Sequence, residues 1–138
     1  MAILLDQFSR LLIQGFGRTG QHQARISRSY GTTIVAGVTP GRGGQKIEGI
    51  PVYDTVRSAV DEQKANVSLI FVPAPNAKDA ILEAADAGIP AVICITEFVP
   101  THDMMQVVSY LRSSETRLIG PNCPGVISPK FHARAGIM

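Results

Sequence analysis

Apolar residues gather along this chain in short runs rather than in long helical stripes. Leu11-Leu12-Ile13, Thr33-Ile34-Val35-Ala36, Val67-Ser68-Leu69-Ile70-Phe71-Val72, Ala91-Val92-Ile93-Cys94-Ile95 and Arg117-Leu118-Ile119 are each too short for a helix. Most are rich in β-branched residues and bounded by Gly or Pro, the mark of strands covered on both faces. Five such runs predict a parallel sheet. Between them lie four segments of helical length, about 19–30, 55–64, 76–87 and 101–113. In the third, Ala80, Ala84 and Ala87 recur with Ile81 and Leu82 at helical spacing; Asn76 is placed to cap the start and Gly88 to end it in a left-handed turn. In the fourth, Thr101 is the expected cap. Met104, Val107, Val108 and Leu111 form its inward stripe, read as core packing rather than as a cofactor box.

Alternation of strand and helix favours right-handed crossovers. The expected fold is α/β, a doubly wound, Rossmann-like parallel sheet whose ligand crevice lies at the carboxyl ends of the strands. Function is then expected in the strand-to-helix turns. No internal repeat or second compositional regime interrupts the chain, so Pro40 to Gly49 reads as a long loop and residues 1–138 as a single domain.

Composition narrows the classes. With 45% hydrophobic and 17% charged residues the chain lies far from the regime of disorder. Thirteen Lys+Arg against eleven Asp+Glu give a formal net charge of +2, too slight an excess to neutralise a row of phosphates, and nucleic acid is not an expected partner. No apolar run approaches the ~18 residues of a membrane span, and Met1 to Asp6 offers neither a basic lead nor a long apolar segment, so neither membrane insertion nor secretion is expected. Cys94 and Cys123 form no C-x-x-C pair or spaced framework, which fits a reduced, intracellular setting.

The turns carry the chemistry. Gly15-Phe16-Gly17-Arg18-Thr19-Gly20 is a complete G-x-G-x-x-G between the first strand and the first helix. Its glycines allow a tight turn and close approach of backbone to a phosphate at the helix N-terminus, and Arg18 either pairs with that phosphate or is solvated. A site for NAD would end the second strand in a carboxylate that binds the ribose; here the strand runs out through Val38-Thr39-Pro40-Gly41-Arg42-Gly43-Gly44. Arg42 among glycines suggests instead an extra ribose phosphate, present in NADP and in coenzyme A, although spacing alone equally allows a mobile surface arginine. Val72-Pro73-Ala74-Pro75 reads as a rigid apolar wall suited to adenine or a pantetheine arm. Ile95-Thr96-Glu97 brings carbonyls, a hydroxyl and a carboxylate to the crevice, Glu97 being a ligand acceptor, a general base or a solvated carboxylate. In Gly120-Pro121-Asn122-Cys123-Pro124-Gly125, Asn122 serves a ligand or closes the turn, and Cys123 reads as a structural thiol. His22, His102 and His132 have no metal-ligand spacing.

These strings together resemble a known family. Gln14-Gly15-Phe16, Tyr30-Gly31-Thr32, Gly37 to Gly44, Val72 to Pro75, Ile95 to Glu97 and Ile119 to Gly125 are similar, in order and over nearly the whole chain, to the amino-terminal coenzyme-A-binding domain of succinyl-CoA synthetase alpha subunits and of related ligases acting on malate or citrate. The resemblance implies that the Gly17 to Gly20 turn holds a coenzyme A phosphate, that Arg42 stands where relatives usually carry Lys, that Val72 to Pro75 flank the cofactor, and that Ile95, Thr96 and Glu97 line its site. In such ligases a phosphate passes from a nucleoside triphosphate to a histidine and on to the carboxylic acid, and the coenzyme A thiol attacks the acyl phosphate. The histidine belongs to a second domain that follows this one in relatives, and the chemistry also needs a beta subunit. This chain alone is therefore expected to bind coenzyme A without completing the ligation, in the cytoplasm or a mitochondrial matrix. A stand-alone coenzyme A sensor and an NADP-dependent oxidoreductase fragment are the alternatives. One departure is a first turn one residue shorter than the family's usual Thr-Gly-x-x-Gly form, followed by Arg25 and Arg28, which leaves the phosphate's placement open.

Overall fold

The computed structural model describes residues 4–138; the reading of the amino terminus as lacking a leader rests partly on residues 1–3, outside the described residues. Seven strands form the main sheet: β1 (Leu11–Gln14), β2 (Ile34–Val38), β3 (Lys46–Ile47), β4 (Ile50–Tyr53), β5 (Val67–Ile70), β6 (Ala91–Cys94) and β7 (Arg117–Ile119). Their spatial order is β3-β4-β2-β1-β5-β6-β7, and every pairing is parallel except that of the edge strand β3 with β4. The order turns around between β1 and β5, so the crevice expected of a doubly wound sheet opens there, above the carboxyl ends of those strands.

β1, β5 and β6 are buried at every position, as their unbroken apolar runs require. On one face they pack under α2 (Val56–Gln63), α3 (Ala74–Asp86) and α4 (Thr101–Leu111), through Val56, Ala59, Ala77, Ile81, Ala84 and Val107. On the other they pack under α1 (Arg18–Tyr30) and an antiparallel hairpin of β8 (Gly125–Ser128) and β9 (Ala133–Gly136), through Phe16, Ala24, Ala133 and Ala135. Arg134 ties that hairpin down although its side chain is charged: buried at 3% exposure, it donates to Ser27 Oγ (2.7 Å), Gln23 Oε1 (2.8 Å) and the Met138 carbonyl.

Several boundaries correct the sequence reading. The loop from Pro40 to Gly49 contains β3, and with β4 and the hairpin the strands outnumber the five expected. Thr55 caps α2 through Ser58 N–H, but α3 starts two residues before Asn76, behind Pro73, and α4 starts at Thr101 itself, behind Pro100. Proline's fixed φ suits a helix entry, and this displaces the side-chain caps. In α4 only Val107 is fully buried; Val108 is 47% exposed and belongs to the solvent face. Gly88 ends α3 at φ +84 as expected.

Candidate functional site

The three glycines of the first turn do different work. Gly15 lies at φ +84, and a Cβ there would stand 2.9 Å from the Val72 amide nitrogen; at Gly20 a Cβ would stand 2.7 Å from the Gly15 carbonyl oxygen. Both allow backbone to pack on backbone between β1, β5 and α1. A Cβ at Gly17, by contrast, would meet nothing within 4 Å. Gly17 is also the cap residue of a thirteen-residue helix whose N-terminus no side chain caps and whose first turn has no acidic residue. The amides of Arg18, Thr19 and Gly20 have no intrahelical acceptor, and with the helix dipole they offer an anion site open to solvent. Arg25 and Arg28 lie about two turns or more from this end and are engaged elsewhere, Arg25 pairing with the Glu48 carboxylate (2.9 Å) and Arg28 donating to the Glu48 carbonyl (2.9 Å).

Beside this turn stands the loop after β2. Thr39 Oγ1 accepts from the Phe16 amide (3.1 Å), locking the two turns together. The loop then folds back on β4: Thr39 N–H donates to the Tyr53 carbonyl and Gly44 N–H to the Val52 carbonyl, both at 3.0 Å, while Arg42 N–H closes on the Thr39 carbonyl at 3.1 Å. Arg42 sits exposed at its tip, and no carboxylate of a described residue lies within ion-pair distance of its guanidinium.

The remaining predicted residues divide between two clefts. The first, about 370 Å³, lies at the switch point between β1 and β5; Gly15, Thr39, Pro40 and Pro73 line it together with apolar Val38, Val72 and Ala80, while Asn76, Asp79 and Glu83 of α3 give it a polar side. The second, about 510 Å³, holds Ile95, Thr96, Glu97 and Asn122 with Cys123, Pro124 and Ile137. Thr96 links the two, its hydroxyl donating to the Val72 carbonyl (2.7 Å) and its carbonyl accepting from the Asn122 amide (2.9 Å). Ala74 and Pro75 form the first turn of α3 and do not line either cleft. Asn122 has φ +52, which fits turn closure. Glu97 is exposed, with no hydrogen bond to a described residue. Cys123 donates through sulfur to the Cys94 carbonyl (3.3 Å), and burial pushes both thiols above their ordinary pKa, so each is held neutral. Among the described residues no group of His, Cys, Asp and Glu is arranged to hold a metal.

Two polar residues at the crevice have no role in the sequence reading, although Gln14 belongs to the Gln14-Gly15-Phe16 string of the resemblance. Gln14, 3% exposed at the end of β1, donates to the Ala80 carbonyl (3.0 Å) and accepts from the Ser68 hydroxyl, building the floor of the first cleft. Asp54 accepts from the amides of Gly41 (2.8 Å) and Gly43 (2.9 Å); standing directly before the capping Thr55, it reads in sequence as one more helix-start residue.

Comparison with known proteins identifies the family and the fold. Residues 6–98 match the model of the family described as CoA binding domain. The chain is 54% identical over 141 aligned positions to a succinate–CoA ligase [ADP-forming] subunit alpha from Aquifex aeolicus, and 52% identical over 140 to a subunit alpha 2 of the same description from Archaeoglobus fulgidus. All of this chain is covered in both cases, with 46% and 48% of the relatives, so it spans about half their length. In three dimensions it superposes on the dinucleotide-forming acetyl-coenzyme A synthetase 1 of Ca. Korarchaeum cryptofilum with a TM-score of 0.80 at 21% identity, over 94% of this chain and 29% of that one, a likeness of fold. The chain belongs to the CoA-binding domain family.

Proposed function

We propose that this chain binds coenzyme A across the crevice as the amino-terminal domain of a succinate–CoA ligase alpha subunit. The observation that carries the reading is the open, uncapped N-terminus of α1 at Gly17, with the unpaired Arg42 on the loop that Thr39 ties to the same turn. The amides of Arg18 to Gly20 bind the pyrophosphate. Arg42 binds the ribose 3′-phosphate, and Thr39 keeps the two turns in register. The first cleft, with Pro40, Val72 and Pro73 as its walls, takes the adenine. The pantetheine arm then runs over Thr96 toward the second cleft, where Ile95, Glu97 and Asn122 border it.

Coenzyme A supplies a nucleophilic thiol; this chain's part is to fix its anionic end so that the thiol is presented to an acyl phosphate. The identities of 52–54% to two succinate–CoA ligase alpha subunits support that assignment. Formation of the acyl phosphate belongs to a phosphohistidine domain and a beta subunit as partners. Two free cysteines fit a reducing compartment, the cytoplasm or a mitochondrial matrix, and no helix among the described residues is long and apolar enough to cross a membrane.

A thermal-shift series with coenzyme A, dephospho-coenzyme A, NADP and NAD tests the reading, because a ligand that binds only the native state raises the midpoint. The expected order is coenzyme A first, dephospho-coenzyme A well below it, and the two nicotinamide nucleotides without effect. A larger shift with NADP would reassign the crevice to a dinucleotide.

A further inference from the structure

We propose that Asp54 is the positioning residue of the ribose-phosphate subsite: its carboxylate holds the Gly41–Gly43 backbone in the shape that presents Arg42. This rests on the reading of Arg42 given above and assigns the part of the site that makes it selective. Arg42 is a long side chain on an exposed loop among glycines, and such a loop loses backbone entropy if it must order only when the ligand arrives. Here the ordering is done beforehand. Asp54 Oδ1 accepts from Gly41 N–H at 2.8 Å and Gly43 N–H at 2.9 Å, bracketing Arg42, while Arg42 N–H turns inward to Thr39. With all three amides of the tip directed to acceptors within the protein, the guanidinium is the group the tip has left for a ligand.

Gly43 shows how closely the carboxylate fits. A Cβ at that position would lie 2.6 Å from Asp54 Oδ2 and 2.7 Å from its Cγ, so any other residue there must push the carboxylate from its present position. Asp54 itself is fixed from behind, since it follows β4 directly and precedes Thr55, the cap of α2. Its negative charge is no use to a phosphate. What it contributes is acceptor geometry, and this separates positioning from charge in an experiment.

The experiment measures the affinities of the 138-residue chain for coenzyme A and dephospho-coenzyme A by calorimetry and takes their ratio. Asp54→Ala is expected to lower the ratio by about tenfold, the effect of losing two hydrogen bonds that shape the loop, with dephospho-coenzyme A affinity little changed. Asp54→Asn keeps an acceptor in place and is expected to keep the ratio. Gly43→Ala pushes the carboxylate away from the other side and is expected to lower the ratio as Asp54→Ala does, which serves if the first variant folds poorly. In an Arg42→Ala background, Asp54→Ala is expected to change the ratio no further. An unchanged ratio in both Asp54→Ala and Gly43→Ala, with the wild type still discriminating, overturns the role of Asp54 alone. A wild-type ratio of one removes the Arg42 reading, and this inference with it.

Discussion

At one end of the crevice the chain presents helix amides and an unpaired cation to open space; at the other, a hydroxyl, a turn amide and a thiol are each already bonded to a backbone carbonyl. Arg18 to Gly20 and Arg42 have binding capacity unspent within the protein. Thr96, Asn122 and Cys123 have most of theirs satisfied by Val72, by Thr96 and by Cys94. On the proposed reading, affinity is concentrated at the phosphate end, where charge-assisted bonds would form on binding. On the same reading the far end, its polar groups already bonded within the protein, sets direction for little energy. This division suits a carrier whose handle is held while its thiol stays free to react.

The largest effect is expected where a side chain would enter the anion site itself. Gly17→Val should abolish coenzyme A binding, by at least a hundredfold, since the isopropyl group fills the space above the three amides that the ligand must occupy. Gly17 has φ −86 and free room around it, so the variant should still fold, losing about 1 kcal/mol through poorer capping. Gly20→Ala is the control from the same motif: its methyl strikes the Gly15 carbonyl, so stability should fall by about 1–3 kcal/mol. Denaturant melts and ligand titrations of the pair would reveal the split. If Gly17→Val bound normally, the phosphate would have to sit elsewhere.

The next effect is selective rather than total. Arg42→Glu places an anion where the ribose phosphate is expected, and coenzyme A affinity should drop by more than tenfold, against a small change for dephospho-coenzyme A. Equal losses for the two ligands would remove Arg42 from the subsite and leave the whole anionic grip to the helix end.

The comparison also shows which parts of the molecule sequence can reveal. The β1, β5 and β6 runs were legible because a strand buried on both faces must be apolar throughout, and the first turn because its glycines have one arrangement that fits strand, turn and helix. β3 and β4 were not, since strands of two and four residues are too short to show a pattern and Pro51 inside the second argues against a strand. The hairpin was hidden by Arg134, whose burial is made possible by partners more than a hundred positions away in sequence at Gln23 and Ser27. Within the site, Gly17, Thr39 and Arg42 could be named from local pattern. The separate work of Gly15 and Gly20, and the hold of Asp54 on the loop, depend on contacts between turns distant in sequence.

The smallest effect concerns the guide end and its thiols. Cys94 is wholly buried at the end of β6, and its pKa is raised chiefly by burial, only partly opposed by its hydrogen bonds with Thr96; burial raises that of Cys123 as well. A thiol with a raised folded-state pKa contributes its full share of stability below the unfolded value of about 8.5 and loses it as pH climbs toward the folded value, because the unfolded chain gives up the proton first. The melting temperature should thus decline above about pH 8.5, and Cys94→Ala, though less stable overall from the cavity it leaves, should decline less steeply. At neutral pH the same neutrality should leave Cys94 unmodified by iodoacetamide in the native protein while the unfolded chain reacts at both cysteines, as mass spectrometry would read. Rapid native alkylation of Cys94 would mean that the guide end opens, and the division of labour between the two ends would lose its rigid half.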